Sequence, residues 1–142
     1  MCADLAHIEK KYALFSAGES NEIMIHDGIP FKGQGTGSGN VHTSFVNALK
    51  VSPDNSKFVT VSSDKSIKIF AVADLKGGAL ASVDAAHEMG IYDVRWLNDN
   101  TIATCSADNT LKTWTVTSEE AGCKIEEKDT YHQKEGPRDT SM

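Results

Sequence analysis

Two stretches bring a histidine, a hydroxyl and a carboxylate together at spacings that differ by one residue: His42 with Ser62 and Asp64, and His87 with Ser106 (or Thr104) and Asp108. Serine, histidine and aspartate are the members of a hydrolytic triad, in which the carboxylate orients the imidazole and the imidazole takes the serine proton. The same types in a buried site equally make a structural hydrogen-bonded chain, and the later stretch adds Trp114, whose indole N–H extends it. A glycine at every second position from Gly33 to Gly39 has the composition of a phosphate-cradling loop. Its order matches neither nucleotide fingerprint, and an extended segment follows where a helix N-terminus should stand. Cys2, Cys105 and Cys123 include no C-x-x-C, and no His or Cys pair has zinc-ligand spacing. Reduced thiols, no metal and no other cofactor are expected.

The elements that would position these groups belong to a chain of ordinary soluble composition, 39% hydrophobic and 24% charged over 142 residues. The net charge of -6 argues against phosphate backbones and anionic lipid as partners, so neither nucleic acid nor membrane is expected. No apolar run approaches the roughly 20 residues of a membrane helix. The N-terminal MCADLAHIEKK has no signal-peptide core, which places the expected location in the cytosol or nucleus.

Internal periodicity sets HTSFVNALKVSPDNSKFVTVSSDKSIKIFAV beside AHEMGIYDVRWLNDNTIATCSADNTLKTWTV, with Asp64 matching Asp108 at a spacing of 44. The same step backward from Val46, Leu49, Phe58, Ile67 and Ile69 reaches Cys2, Leu5, Leu14, Ile23 and Ile25, a weaker copy with Glu19 and Ser20 in its turn. Val46, Ala48 and Lys50 alternate with residues of the other face, and FVTVSS, IKIF and TIATCS are β-branched and apolar, so short strands are predicted and helices are not. Turn chemistry falls at SPDN (52–55), SSDKS, SADNT and NDN (98–100). A more variable fourth strand is predicted near Ile29 (IPFKG), Ala79 (ALASVD) and Cys123 (CKIEEK), while GQGTGSGN (33–40) reads as a loop because of its glycines. The expected fold is all-β, with about three consecutive four-stranded antiparallel blades in an incomplete propeller. The units are 1–41 with a degenerate signature, 42–86, and 87–128. A polar tail at 129–142 is expected to be disordered.

A His before the innermost strand, Ser or Thr in the second, Asp in the next turn and Trp in the third resembles the WD-repeat family. That resemblance implies a buried chain of His87, Ser106 (or Thr104), Asp108 and Trp114. A shorter one follows from His42, Ser62 and Asp64, because Phe70 stands in the Trp position and has no N–H. Burial of this kind, without a strained nucleophile turn at Ser106, removes the triad reading. A non-enzymatic interaction module is expected.

The stretch NEIMIHDGIPFKG, followed after a long loop by SFVNALKVSPDNSKFVTVSSD, further resembles the actin-interacting protein 1 family. Gly28, Pro30, Phe31 and Lys32 stand in that family's Pro-Phe-Lys segment, and Phe45, Val46 and Asn47 in its inner strand. Ile29, Gly33 and His26 depart from it. The resemblance implies a fragment of a longer cytoplasmic protein of the actin cytoskeleton, with actin and cofilin as partners in filament disassembly. It also points to Pro30, Phe31 and Lys32 as protein-binding residues. Three blades leave sheet faces uncovered, so self-association of this chain is expected.

Overall fold

The computed structural model describes residues 2–8, 11–17, 22–27, 36–40, 42–72, 74–119 and 122–132. They form twelve strands in three four-stranded antiparallel sheets. The first sheet holds β1 (Cys2–Ile8), β2 (Lys11–Ala17), β3 (Glu22–Asp27) and β4 (Thr36–Asn40). The second holds β5 (Val46–Val51), β6 (Lys57–Ser62), β7 (Ile67–Ala71) and β8 (Asp74–Val83). The third holds β9 (Ile91–Asn98), β10 (Thr101–Ser106), β11 (Thr110–Glu119) and β12 (Gly122–His132). Within each sheet every strand pairs with its neighbours in sequence, while β4 to β5 and β8 to β9 pass from one sheet to the next.

The 44-residue step is visible in the pairing itself. Leu14 faces His26, Phe58 faces Phe70 and Ile102 faces Trp114, each the Cα partner of the other across the second and third strands of its sheet. The sheets stand in a row: β1 and β2 lie against β5, and β5 and β6 lie against β9. They do not close into a ring, so the arrangement is an incomplete propeller of four-stranded blades.

Side-chain alternation explains which faces are buried. On one face of the second sheet Val59, Val61, Ile67 and Ile69 are fully buried, packing with Ile91, Val94, Ile102, Trp114 and Val116 of the third. Phe58 and Phe70 point to its other face and are buried as well. Every residue of β6 is therefore buried, whereas β10 buries only alternate residues, Ile102, Thr104 and Ser106. The second blade is covered on both sides and the third on one.

The turns use the chemistry their sequences carry. In SPDN the Asn55 N–H donates to Ser52 O at 2.9 Å, and Asn55 takes a φ of 61°, a conformation asparagine tolerates. Lys65 and Asn109 occupy equivalent left-handed positions in the two hairpin turns. At the start of β9 a Cβ on Gly90 would meet Ser63 Cα at 3.2 Å, so glycine is what lets the third blade approach the second here.

Two expectations change. The glycine-rich segment is not wholly a loop, because Thr36–Asn40 is the outer strand β4, paired with β3. An edge strand needs only backbone groups on its inner side, and glycines supply those. IPFKG, where that strand was predicted, lies outside the described residues, as do Pro30, Phe31 and Lys32. At the other end, β12 runs past Lys128 to His132. Its ladder with β11 pairs Leu111 with Tyr131 and Thr110 with His132, so backbone pairing carries order into a segment whose polarity predicted a tail. Residues 133–142 lie outside the described residues.

Candidate functional site

His87 precedes β9 and is buried at 2% exposure between the blades. Its Nδ1 lies 3.1 Å from Asp108 Oδ2 and its Nε2 lies 2.8 Å from Thr104 Oγ1. Burial pushes the Asp108 carboxyl up, but hydrogen bonds from Thr110 Oγ1, Glu88 N and Thr110 N outweigh it and hold the group at about 2. Asp108 is therefore ionised at neutral pH, and the His87 proton sits on Nδ1, donating to the carboxylate. Nε2 then accepts the Thr104 O–H, and Thr104 Oγ1 accepts the Trp114 indole N–H at 3.0 Å. The chain runs Trp114 to Thr104 to His87 to Asp108 with each donor matched to an acceptor.

The second blade repeats the geometry without its last member. His42 Nδ1 lies 3.0 Å from Asp64 Oδ2, and His42 Nε2 lies 2.8 Å from Thr60 Oγ1. Burial raises the Asp64 carboxyl, while donors from Ser66 Oγ, Thr43 N and Ser66 N bring it down to about 2. Phe70 stacks on Phe58 instead of donating, with ring centroids 5.2 Å apart. Burial pushes both imidazoles below their ordinary value, against the pull of their aspartates.

The hydroxyls at Nε2 are Thr104, the alternative to Ser106 in the third blade, and Thr60 in place of Ser62 in the second. Ser106 Oγ donates to Gly90 O at 2.8 Å, and Ser62 Oγ donates to Phe45 O at 2.7 Å. Each serine also accepts the amide of its turn aspartate, at 3.2 Å from Asp108 N and 3.1 Å from Asp64 N. They clamp the loop ahead of the inner strand and do not touch the imidazole. Of the hydroxyls that do, Thr104 is 1% exposed and committed at both ends, and Thr110 Oγ1 lies 2.9 Å from His87 Nδ1. Within these two networks the geometry is that of a structural hydrogen-bonded chain.

Ser66 and Thr110 are members that sequence reading missed. Ser66 Oγ donates to Asp64 Oδ1, and Thr110 Oγ1 donates to Asp108 Oδ1, each at 2.5 Å. The signal was a hydroxyl two residues after the aspartate in both turns, DKS and DNT. Together these bonds fix two loops, 42–45 and 87–90, at one end of adjacent blades. Thr43 N and Glu88 N, inside those loops, donate to Asp64 and Asp108 at 3.0 Å each. Phe45 and Met89 stand exposed on them, at 54% and 50%. A rigid backbone displaying apolar side chains is suited to binding a protein surface.

A family model described as WD domain, G-beta repeat matches residues 34–70 and 79–115, more than half of the chain. The chain belongs to the WD-repeat family. Its matched repeats each begin in or beside the outer strand of one blade and end in the third strand of the next, and each encloses one His–Thr–Asp network. It is a WD-repeat protein-interaction module. The chain is 35% identical over 114 residues to WD repeat-containing protein 1 of Gallus gallus, a match spanning 75% of this chain and 17% of that protein. It is 32% identical over 113 residues to Actin-interacting protein 1 of Drosophila melanogaster, spanning 78% of this chain and 18% of that one. These WD-repeat matches thus cover under a fifth of the length of either relative. A chain in the structure of a humanized mutant of the Chaetomium thermophilum Polycomb Repressive Complex 2 bound to the inhibitor GSK343 shares the fold. It superposes with a TM-score of 0.74 at 16% identity, covering 85% of this chain and 27% of that one.

Proposed function

We propose that this WD-repeat chain is a non-catalytic, actin-binding segment of the actin-interacting protein kind, which engages actin filaments together with cofilin in the cytoplasm and promotes their disassembly. The observation that carries the reading is its likeness to a fly protein named for interaction with actin, at 32% identity over 78% of the chain. The locked loops bearing Phe45 and Met89 supply a surface for it. Pro30, Phe31 and Lys32 join as contacts by resemblance.

Co-sedimentation of the chain with actin filaments, with and without cofilin, tests this against a spin lacking filaments. The expected result is pelleting that depends on filaments and increases with cofilin. No increase in pelleting over the filament-free spin, with or without cofilin, would sink the actin assignment. It would leave a WD-repeat scaffold for another complex, a reading favoured by the departures at His26, Ile29 and Gly33.

A further inference from the structure

At the opposite end of the strands from the histidine networks, the seam between the second and third blades opens into a hollow of about 240 Å³. It is lined by Lys50, Val51, Pro53, Arg95 and Trp96. Lys50 is the last but one residue of β5, and Arg95 and Trp96 lie toward the end of β9. Trp96 Nε1 donates to Lys50 O at 2.9 Å, which pins the indole across the seam and makes it a fixed wall.

The two cations at this hollow are, among the described residues, not spent elsewhere. Among the described residues neither Lys50 nor Arg95 has a side-chain ion pair or hydrogen bond. The neighbouring acids are engaged. Asp54 Oδ1 accepts from Ser52 Oγ at 2.6 Å and from Ser56 Oγ at 2.7 Å, Asp4 Oδ2 accepts from Val51 N at 2.7 Å, and Asp93 Oδ1 accepts from Val94 N at 2.8 Å. In a chain of net charge -6, two uncommitted cations beside an indole and a proline are complementary to a carboxylate on an apolar stem.

We infer that this seam docks an acidic peptide segment of a partner protein, its carboxylate held between Arg95 and Lys50 and its methylenes against Trp96 and Pro53. The guanidinium offers a paired donor fork and the ammonium a point charge, while the pinned ring loses no freedom on binding. The proposal is tested independently of the actin assignment, since the probe is a peptide and no actin is present.

Fluorescence anisotropy of a fluorescein-labelled hexaglutamate peptide, titrated with the chain at low salt, tests it without actin. Saturable binding that weakens with salt is expected, with hexaglutamine not binding. Arg95→Glu and Lys50→Glu should each weaken it about tenfold, and Arg95→Gln less, because the exposed Arg95 can be neutralised without disturbing the core. Equal binding of hexaglutamine, or unchanged affinity in the Lys50→Glu/Arg95→Glu double variant, would overturn the proposal. So would binding to phosphatidylserine vesicles with none to the peptide.

Discussion

Trp114 donates its indole N–H to Thr104 Oγ1 at 3.0 Å, while Phe70, its counterpart one blade earlier, stacks flat on Phe58. The two threonines therefore carry unequal loads. Replacing Thr104 by Val leaves both the Trp114 N–H and His87 Nε2 without a partner, whereas Thr60→Val leaves only His42 Nε2. An unmet buried polar group costs about 1–3 kcal/mol, so Thr104→Val should be the more destabilising by about that amount. Denaturant titrations of the two variants check this, and equal losses would show that the indole bond contributes nothing.

Stability should fall with pH in two steps. Burial holds His42 and His87 below 6.5, so the unfolded chain takes up their protons first and stability declines as pH drops below about 6.5. Asp64 and Asp108 are held at about 2 against 3.8, so their contribution is present above about 3.8 and is lost as pH falls from there toward 2. Thermal melts across pH 7 to 2 should show both declines. A variant carrying His42→Gln and His87→Gln should lose the upper one, and its persistence would reassign it.

Phe45 and Met89 are half exposed on loops held by backbone and side-chain bonds, so shortening them removes contact surface and little packing. Phe45→Ser and Met89→Ser should each weaken binding to cofilin-decorated actin by about 1–2 kcal/mol while changing unfolding stability by under about 0.5 kcal/mol. Phe31→Ala should behave alike. Co-sedimentation and thermal melts of the same variants separate the two effects, and a loss confined to stability would assign these side chains to packing.

The outer face of the third blade should drive self-association. Where the second blade has Val59, Val61, Ile67 and Ile69, all covered by the third, the third has Ala103, Cys105, Leu111 and Thr113 without such cover. Leu111 and Tyr131, opposed across β11 and β12, are 42% and 57% exposed. Light scattering should give a mass above that of a monomer, falling when Leu111→Lys and Tyr131→Ser are combined. A monodisperse parent chain would count against this face as an association surface.

The amino-acid sequence alone determined what repeats. The 44-residue step, the alternation within each strand and the His and Asp of each network are periodic, and periodic positions fall at equivalent places in stacked blades. It did not determine which hydroxyl meets the imidazole, because Thr104 and Ser106 are two residues apart and share one face of β10. Only packing shows that Thr104 lies beneath His87 while Ser106, at the strand end, reaches Gly90 O. The strand in the glycine-rich segment and the length of β12 also escaped sequence reading, since ladder bonds between backbones do not depend on side-chain pattern. The Lys50–Trp96 bond, like the Asn47 Nδ2 bond to Ile91 O at 2.7 Å, joins different blades. Such contacts depend on how one sheet is set against the next, an angle fixed by the shapes of the interlocking side chains and not by any spacing along the chain.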